Sequence, residues 1–126
     1  MLSLKDFDTV GLSENPVEFE VTDIDGNGTG FFISVIGQQS ETFTKQAMAL
    51  AKQYELDKAA ADPVAFVESD ASKDFTNNLV AARIVGWRGI KEKFSKEDAL
   101  TLVKRNPRVF DLVIEKSNKI ANFTKL

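Results

Sequence analysis

The chain has 126 residues and a formal net charge of −3, a size that fits one globular domain with a single hydrophobic core. It contains no cysteine and no histidine. This composition excludes disulfides and zinc–thiolate sites, and it removes the side chain that most often acts as a general base near neutral pH. We therefore expect a protein that is not an enzyme, has no catalytic residues and uses no cofactor.

The first predicted element is a β-hairpin within residues 17–37. Residues 17–22, VEFEVT, alternate apolar and polar side chains, which is typical of a strand with one buried face. Residues 31–36, FFISVI, are apolar on both faces, so we expect the second strand to be the better buried of the two.

The segment DIDGNGTG, which joins the two predicted strands, half resembles a calcium-binding loop. Asp23, Asp25 and Asn27 occupy the first three ligand positions, and a glycine follows at the sixth position. The twelfth position is Ser34, which cannot supply a bidentate carboxylate, and both flanks have the pattern of strands rather than helices. Because aspartate, asparagine and glycine are also typical of hairpin turns, the sequence favours a turn without a metal. A cation would contact Asp23, Asp25 and Asn27.

From residue 39 onward the pattern is helical. Apolar residues recur at three- and four-residue spacing in a first predicted helix, namely Phe43, Ala47, Leu50, Ala51 and Tyr54. Asp62 and Pro63 interrupt this helix, because the residue before a proline is biased away from helical conformation. A second predicted helix places Phe75, Leu79, Ala82 and Val85 or Gly86 on one face, until the glycines of GWRG, residues 86–89, break it.

Two further helices have marked starts. Ser95 is predicted to cap the first of them, with Asp98 at its third position and Phe94 packing back against it. Asn106 is the predicted cap of the last helix, and Pro107 is its first residue. The apolar side of the last helix is predicted to contain Phe110, Val113, Ile114, Ile120 and Phe123.

These elements predict an α+β fold. An N-terminal β-hairpin or small antiparallel sheet is followed by a bundle of about four helices. We expect residues 1–126 to form a single domain, in which residues 1–38 are mainly β and residues 39–126 mainly α.

Charge is distributed unevenly along the chain. Residues 1–75 contain five basic and 14 acidic side chains, a net charge of −9, whereas residues 76–126 contain 11 and five, a net charge of +6. Solvated faces with partly cancelling fields account for this pattern. Head-to-tail self-association or docking on a charged partner also accounts for it. Acidic residues interspersed in the basic half argue against a nucleic-acid binder.

Apolar composition points to a protein partner. Ten residues are phenylalanine, and the only tryptophan, Trp87, lies between two glycines, either in the core or as an interface anchor. Because a chain this short has several separate apolar faces to bury, we expect an exposed apolar patch and hence an obligate partner. No apolar run approaches the ~20 residues that span a bilayer, and the N-terminus lacks the features of a secretion signal. We expect no membrane contact and a cytosolic location.

Residues 82–123 carry a resemblance to a known family. They combine an aliphatic–GWRG stretch, an aromatic–Ser–acidic helix start, a proline-containing helix start and a terminal helix with NF near its end. This order resembles small proteins encoded in the tail-gene region of long-tailed bacteriophages, and GTGFFISVIGQQSETF, residues 28–43, resembles their strand-to-helix junction. The chain is similar to the phage tail assembly chaperones over residues 17–126.

The resemblance implies a function in the cytoplasm of the host bacterium. The protein would bind the tape measure protein, help to recruit the tail tube protein and leave before the virion is complete. We take Trp87, Arg88 and Phe110 as candidate partner-binding residues. The alternatives are a small structural virion protein, such as a tail, neck or head-completion component located in the virion tail, and an effector that binds a host protein.

Overall fold

A three-stranded antiparallel sheet and six α-helices make up the computed structural model, which describes residues 1–124. The strands are β1 (Val17–Thr22), β2 (Gly28–Val35) and β3 (Ile84–Arg88), in the order β1-β2-β3. The helices are α1 (Thr9–Leu12), α2 (Glu41–Ala60), α3 (Pro63–Val67), α4 (Asp70–Ala81), α5 (Lys96–Arg105) and α6 (Pro107–Asn118), and short 3₁₀ helices cover Leu4–Phe7 and Ile120–Asn122. The predicted α+β class is confirmed.

The predicted hairpin is formed by β1 and β2. Phe19 lies opposite Ile33 in this antiparallel pair, and both side chains are buried. The connecting turn depends on Gly26, whose φ of +85° lies in the left-handed region that favours glycine. The prediction of a turn in DIDGNGTG is therefore confirmed for residues 23–27, whereas residues 28–30 already belong to β2.

The third strand was not predicted. The helix that was expected to continue to Val85 or Gly86 ends at Ala81 (α4), and both residues lie in β3 instead. Since β1 satisfies only one edge of β2, the backbone groups of its other edge need a partner, and β3 supplies it. The interruption of regular structure expected at the glycines of GWRG occurs at Gly89, directly after β3, where φ is +94°.

The hydrophobic core lies between one face of the sheet and helices α4, α5 and α6. Ile33, Ile84 and Val113 are completely buried at its centre. The remaining members of this cluster come from β1, β2 and the three helices, namely Phe19, Val35, Val80, Ala81, Ala99, Val103 and Val109. Because β2 is the middle strand, its apolar residues on this face contact neighbours on both sides, which explains why it is the best-buried strand.

The predicted helix starts are confirmed at two residues and corrected at a third. The Ser95 hydroxyl accepts a hydrogen bond from the Asp98 amide at 3.1 Å, and Pro107 is the first residue of α6. The Asn106 side chain does not cap α6; it donates a hydrogen bond to the Leu102 carbonyl at 2.9 Å and so closes the preceding helix.

The apolar side of the last helix is also shorter than predicted, because α6 ends at Asn118. Ile120 and Phe123 lie in the segment that follows. Phe123 is buried, whereas Ile120 is exposed. Within residues 1–124, no helix is both long and apolar enough to cross a bilayer.

Candidate partner-binding surface

Trp87 lies on the inner face of the sheet, opposite Ile33. Its ring makes edge-on contacts with Phe31 and Phe94, with ring centres 5.8 and 5.0 Å apart. The indole N–H donates to the Glu92 carbonyl at 2.9 Å. Trp87 is therefore held mainly as a packing residue, and it also lines a groove of about 230 Å³ beside α5.

Arg88 lies on the opposite, outer face of the sheet. Its guanidinium is 4.0 Å from the centre of the Phe32 ring and forms an ion pair with Glu18 at 2.8 Å. The hydrogen bonds from Arg88 lower the pKa of the Glu18 carboxyl, and the same contact raises the pKa of Arg88. The contacts of Arg88 connect the two outer strands across β2.

The three candidate partner-binding residues do not share one surface. Phe110, on α6, is partly buried and packs against the core. Trp87 and Arg88 are consecutive residues of one strand, so their side chains point to opposite faces of the sheet. A role in partner binding remains a prediction for each residue.

The side chains named as cation contacts lie in the hairpin turn. The Asp23 carboxylate accepts hydrogen bonds from the backbone amides of Asn27 and Asp25, both at 2.9 Å. These bonds, with that from Asn27 the largest contribution, lower the pKa of Asp23. In the described part of the chain, no group of three or more histidine, cysteine, aspartate or glutamate side chains is placed to hold a metal.

Helices α2 and α3, which we call the α2–α3 arm (residues 41–67), present apolar side chains to solvent. Helix α2 has 20 residues and therefore is about 30 Å long, yet none of its side chains is fully buried. The exposed apolar residues of the arm are between 55% and 70% accessible, namely Met48, Leu56, Val64 and Val67.

An aromatic cluster fixes the arm to α4. Tyr54 stacks on Phe75 with 4.4 Å between ring centres, and it contacts Phe66 edge-on at 5.2 Å. Tyr54 and Leu50, from the predicted stripe, face this side of α2, whereas Ala51 is exposed. The apolar residues on the solvent side of α2 were missed because the sequence stripe identifies only the face that packs inward.

A second exposed apolar segment lies at the N-terminus. Leu2, Leu4, Phe7 and Val10 are all exposed. A groove of about 570 Å³ lies between this segment and residues 121–124, with Leu2 and Phe123 among its lining residues. The predicted exposed apolar surface is thus present, but Phe7 is the only phenylalanine among its large exposed residues within the described chain. Leucine, isoleucine, valine and methionine provide the rest.

Two cations lie where α2, α4 and β3 meet, of which Arg83 is partly buried and Lys96 is exposed. The Arg83 guanidinium is 4.3 Å from the centre of the Phe43 ring, and the Lys96 ammonium donates to the Ile84 carbonyl at 3.1 Å. Burial lowers the pKa of both side chains. The sequence indicated only that both residues belong to the basic half of the chain, because their environment depends on tertiary packing.

Comparison with known protein families identifies a family for this chain. Residues 37–125 match the family described as YdaY prophage protein. The chain belongs to this family. The match covers the α2–α3 arm, β3 and both C-terminal helices, and no curated protein and no solved structure matches the chain. The YdaY-family protein is therefore phage-derived, which confirms the phage origin implied by the sequence resemblance.

Proposed function

We propose that this YdaY-family protein is a tail assembly chaperone, which binds the tape measure protein and assists assembly of the tail tube without catalysing a reaction. The observation that supports the proposal is the exposed apolar surface of the α2–α3 arm, formed by Met48, Leu56, Val64 and Val67. Large exposed apolar surfaces on small proteins mark sites of protein association. The protein acts in the host cytoplasm and leaves before the virion is complete.

The physical basis is the packing of one helix against another. A tape measure protein is a long, partly apolar helical chain that aggregates unless its apolar faces are covered. Complete burial of a valine, leucine or methionine side chain is favourable by about 1.5–3 kcal/mol. The four exposed apolar residues of the arm offer contacts to an amphipathic helix of the partner, and successive copies would cover successive segments of it.

Co-expression with the tape measure protein of the same prophage tests this proposal. We expect the wild-type protein to increase the soluble fraction of the tape measure protein and to co-purify with it. The double substitution Val64→Asn and Val67→Asn should remove most of this effect. The matched control is Ile24→Asn, which changes a still more exposed apolar residue in the hairpin turn. If the control loses as much solubilising effect as the arm variant, the arm is not the binding surface.

A structural virion component is the second candidate, and the charge asymmetry favours it. A net charge of −9 on residues 1–75 and +6 on residues 76–126 suits head-to-tail contacts between copies in a ring. Mass spectrometry of purified virions separates the two functions. A chaperone is absent from the finished particle, whereas a tail, neck or head-completion protein is present in a fixed ratio to the tail tube protein.

A further inference from the structure

A cavity of about 330 Å³ lies between α2 and α4, beside the first residue of α5. Its polar lining consists of Gln46, Asn78 and Lys96. Leu50 and two alanines, Ala49 and Ala81, belong to its apolar walls. Since alanine side chains are small, another backbone can approach the mouth of this cavity closely.

The Lys96 ammonium has N–H donors at this cavity that form no hydrogen bond with the described residues. Its ammonium group has three N–H donors, of which one is directed to the Ile84 carbonyl. Within residues 1–124, the ion pairs are Arg88 with Glu18 and Lys104 with Asp74, so no carboxylate lies within 4.0 Å of Lys96. The Gln46 amide is also without a hydrogen bond to the described residues, and Asn78 uses one of its two N–H donors on the Asp74 carbonyl.

Arg83 adds a second positive charge close to the same junction. Its guanidinium donates to the Leu79 carbonyl at 2.7 Å and lies over Phe43, one helical turn before Gln46. Its Nε is buried and has no acceptor among the described residues. Two cations without a carboxylate partner, of which Arg83 is partly buried, give this junction a positive potential that an incoming anionic group would neutralise.

We propose that this cavity receives the carboxylate of a glutamate carried on an amphipathic helix of the protein partner. The inference rests on the proposed function in one respect, since it takes the partner to be a helical protein. Lys96 donates a charge-assisted hydrogen bond to the carboxylate, and the amides of Gln46 and Asn78 complete its coordination. The cavity thereby fixes the register of the partner helix against α2 and α4.

A pair of synthetic helical peptides tests the site without the natural partner. One peptide contains alanine, leucine and lysine with a single central glutamate, and the other has glutamine in its place. We expect the glutamate peptide to bind at least about tenfold more tightly, the size of effect expected for one charge-assisted hydrogen bond. In ¹⁵N NMR spectra of the full chain, it should shift the side-chain amide signals of Gln46 and Asn78.

Substitutions at Lys96 identify the group responsible. Lys96→Met should reduce binding of the glutamate peptide to the level of the glutamine peptide, whereas Lys96→Arg, which keeps the charge, should retain the preference. Lys93→Met is the matched control, because Lys93 is exposed and lies three residues earlier in the chain. Thermal unfolding of each variant shows whether the fold is retained.

Several results would overturn the proposal. These are equal affinity for the two peptides, unchanged signals from Gln46 and Asn78, or an equal loss of binding in the Lys93 and Lys96 variants. Inorganic phosphate that binds as tightly as the glutamate peptide, with the same dependence on Lys96, would show a general anion site instead. Failure of the tape measure co-expression with a positive peptide result would reject the chaperone function and leave this glutamate site intact.

Discussion

Arg88 donates two hydrogen bonds to Glu18, a residue 70 positions earlier in the chain, at 3.0 and 2.8 Å. The pair spans the outer face of the sheet from β3 to β1, and the same guanidinium covers the ring of Phe32 on the strand between them. One arginine thus contacts all three strands. The Arg88 side chain is 62% accessible to water and that of Glu18 38%, so the pair is expected to fix the arrangement of the strands more than to increase their stability.

The Arg88–Glu18 ion pair should make the stability of the fold depend on pH. The folded-state pKa of Glu18 is lowered by Arg88, so the stabilisation from the pair is present above the unfolded-state pKa and is lost as the pH falls through the folded-state value. NMR titration should find a lower pKa for Glu18 in the wild-type protein than in Arg88→Ala. An unchanged Glu18 pKa in that variant would show that the ion pair does not persist in solution.

The turn after β3 is predicted to require glycine at position 89. A Cβ atom at this position would overlap the Gly30 carbonyl oxygen, and the φ of +94° is itself unfavourable for other residues. We expect Gly89→Ala to lower the free energy of unfolding by about 3 kcal/mol or more. Gly26→Ala is the matched control, because Gly26 has a similar φ but nothing within 4 Å of the added atom. Its cost should be about 1–2 kcal/mol in urea-induced unfolding.

A buried hydroxyl links the last helix to the end of the sheet. Ser117 donates a hydrogen bond to the Ile36 carbonyl at 2.8 Å, and its side chain is almost completely buried. Ser117→Ala leaves that buried carbonyl without this donor, and the expected cost is about 1–3 kcal/mol. Chemical denaturation measures it, with the exposed Thr101→Ala substitution as a control that should change stability by less than about 0.5 kcal/mol. Equal effects of the two substitutions would contradict a specific role for the hydroxyl.

The double substitution Val64→Asn and Val67→Asn in the α2–α3 arm should weaken partner binding without lowering the stability of the fold. Val64 and Val67 are exposed, so replacing both with asparagine should leave the thermal unfolding temperature close to that of the wild type. The same substitutions should weaken binding to the tape measure protein, because they remove apolar contact area. A large loss of thermal stability would instead show that these residues pack within the monomer.

Local signals in the sequence predicted the elements that depend on neighbouring residues. The alternation in residues 17–22 indicated β1, and the aspartate–glycine composition after it indicated the turn. Ser95 and Pro107 marked the starts of α5 and α6 correctly. Asn106 was assigned to the wrong helix end, because an asparagine between two helices can bond to either one and only the folded geometry selects the Leu102 carbonyl.

The candidate surface was less predictable than the fold. The excess of apolar residues predicted an exposed patch, but the sequence could not specify which residues would remain uncovered. The inward stripe of α2 was visible in its periodicity, whereas the exposure of Met48 and Leu56 depends on the absence of any further element packed over them in the described structure.

The sequence by itself determined a small α+β protein without cysteine or histidine, with a hairpin and well-marked helix starts, because these properties depend on composition and on residues close together in the chain. The tertiary structure decided that residues 84–88 form a strand, because their partner, β2, lies some 50 residues earlier and leaves no local signal. That strand then placed Trp87 and Arg88 on opposite faces of the sheet, since successive side chains of a strand alternate. It also brought Arg83 and Lys96 to one junction.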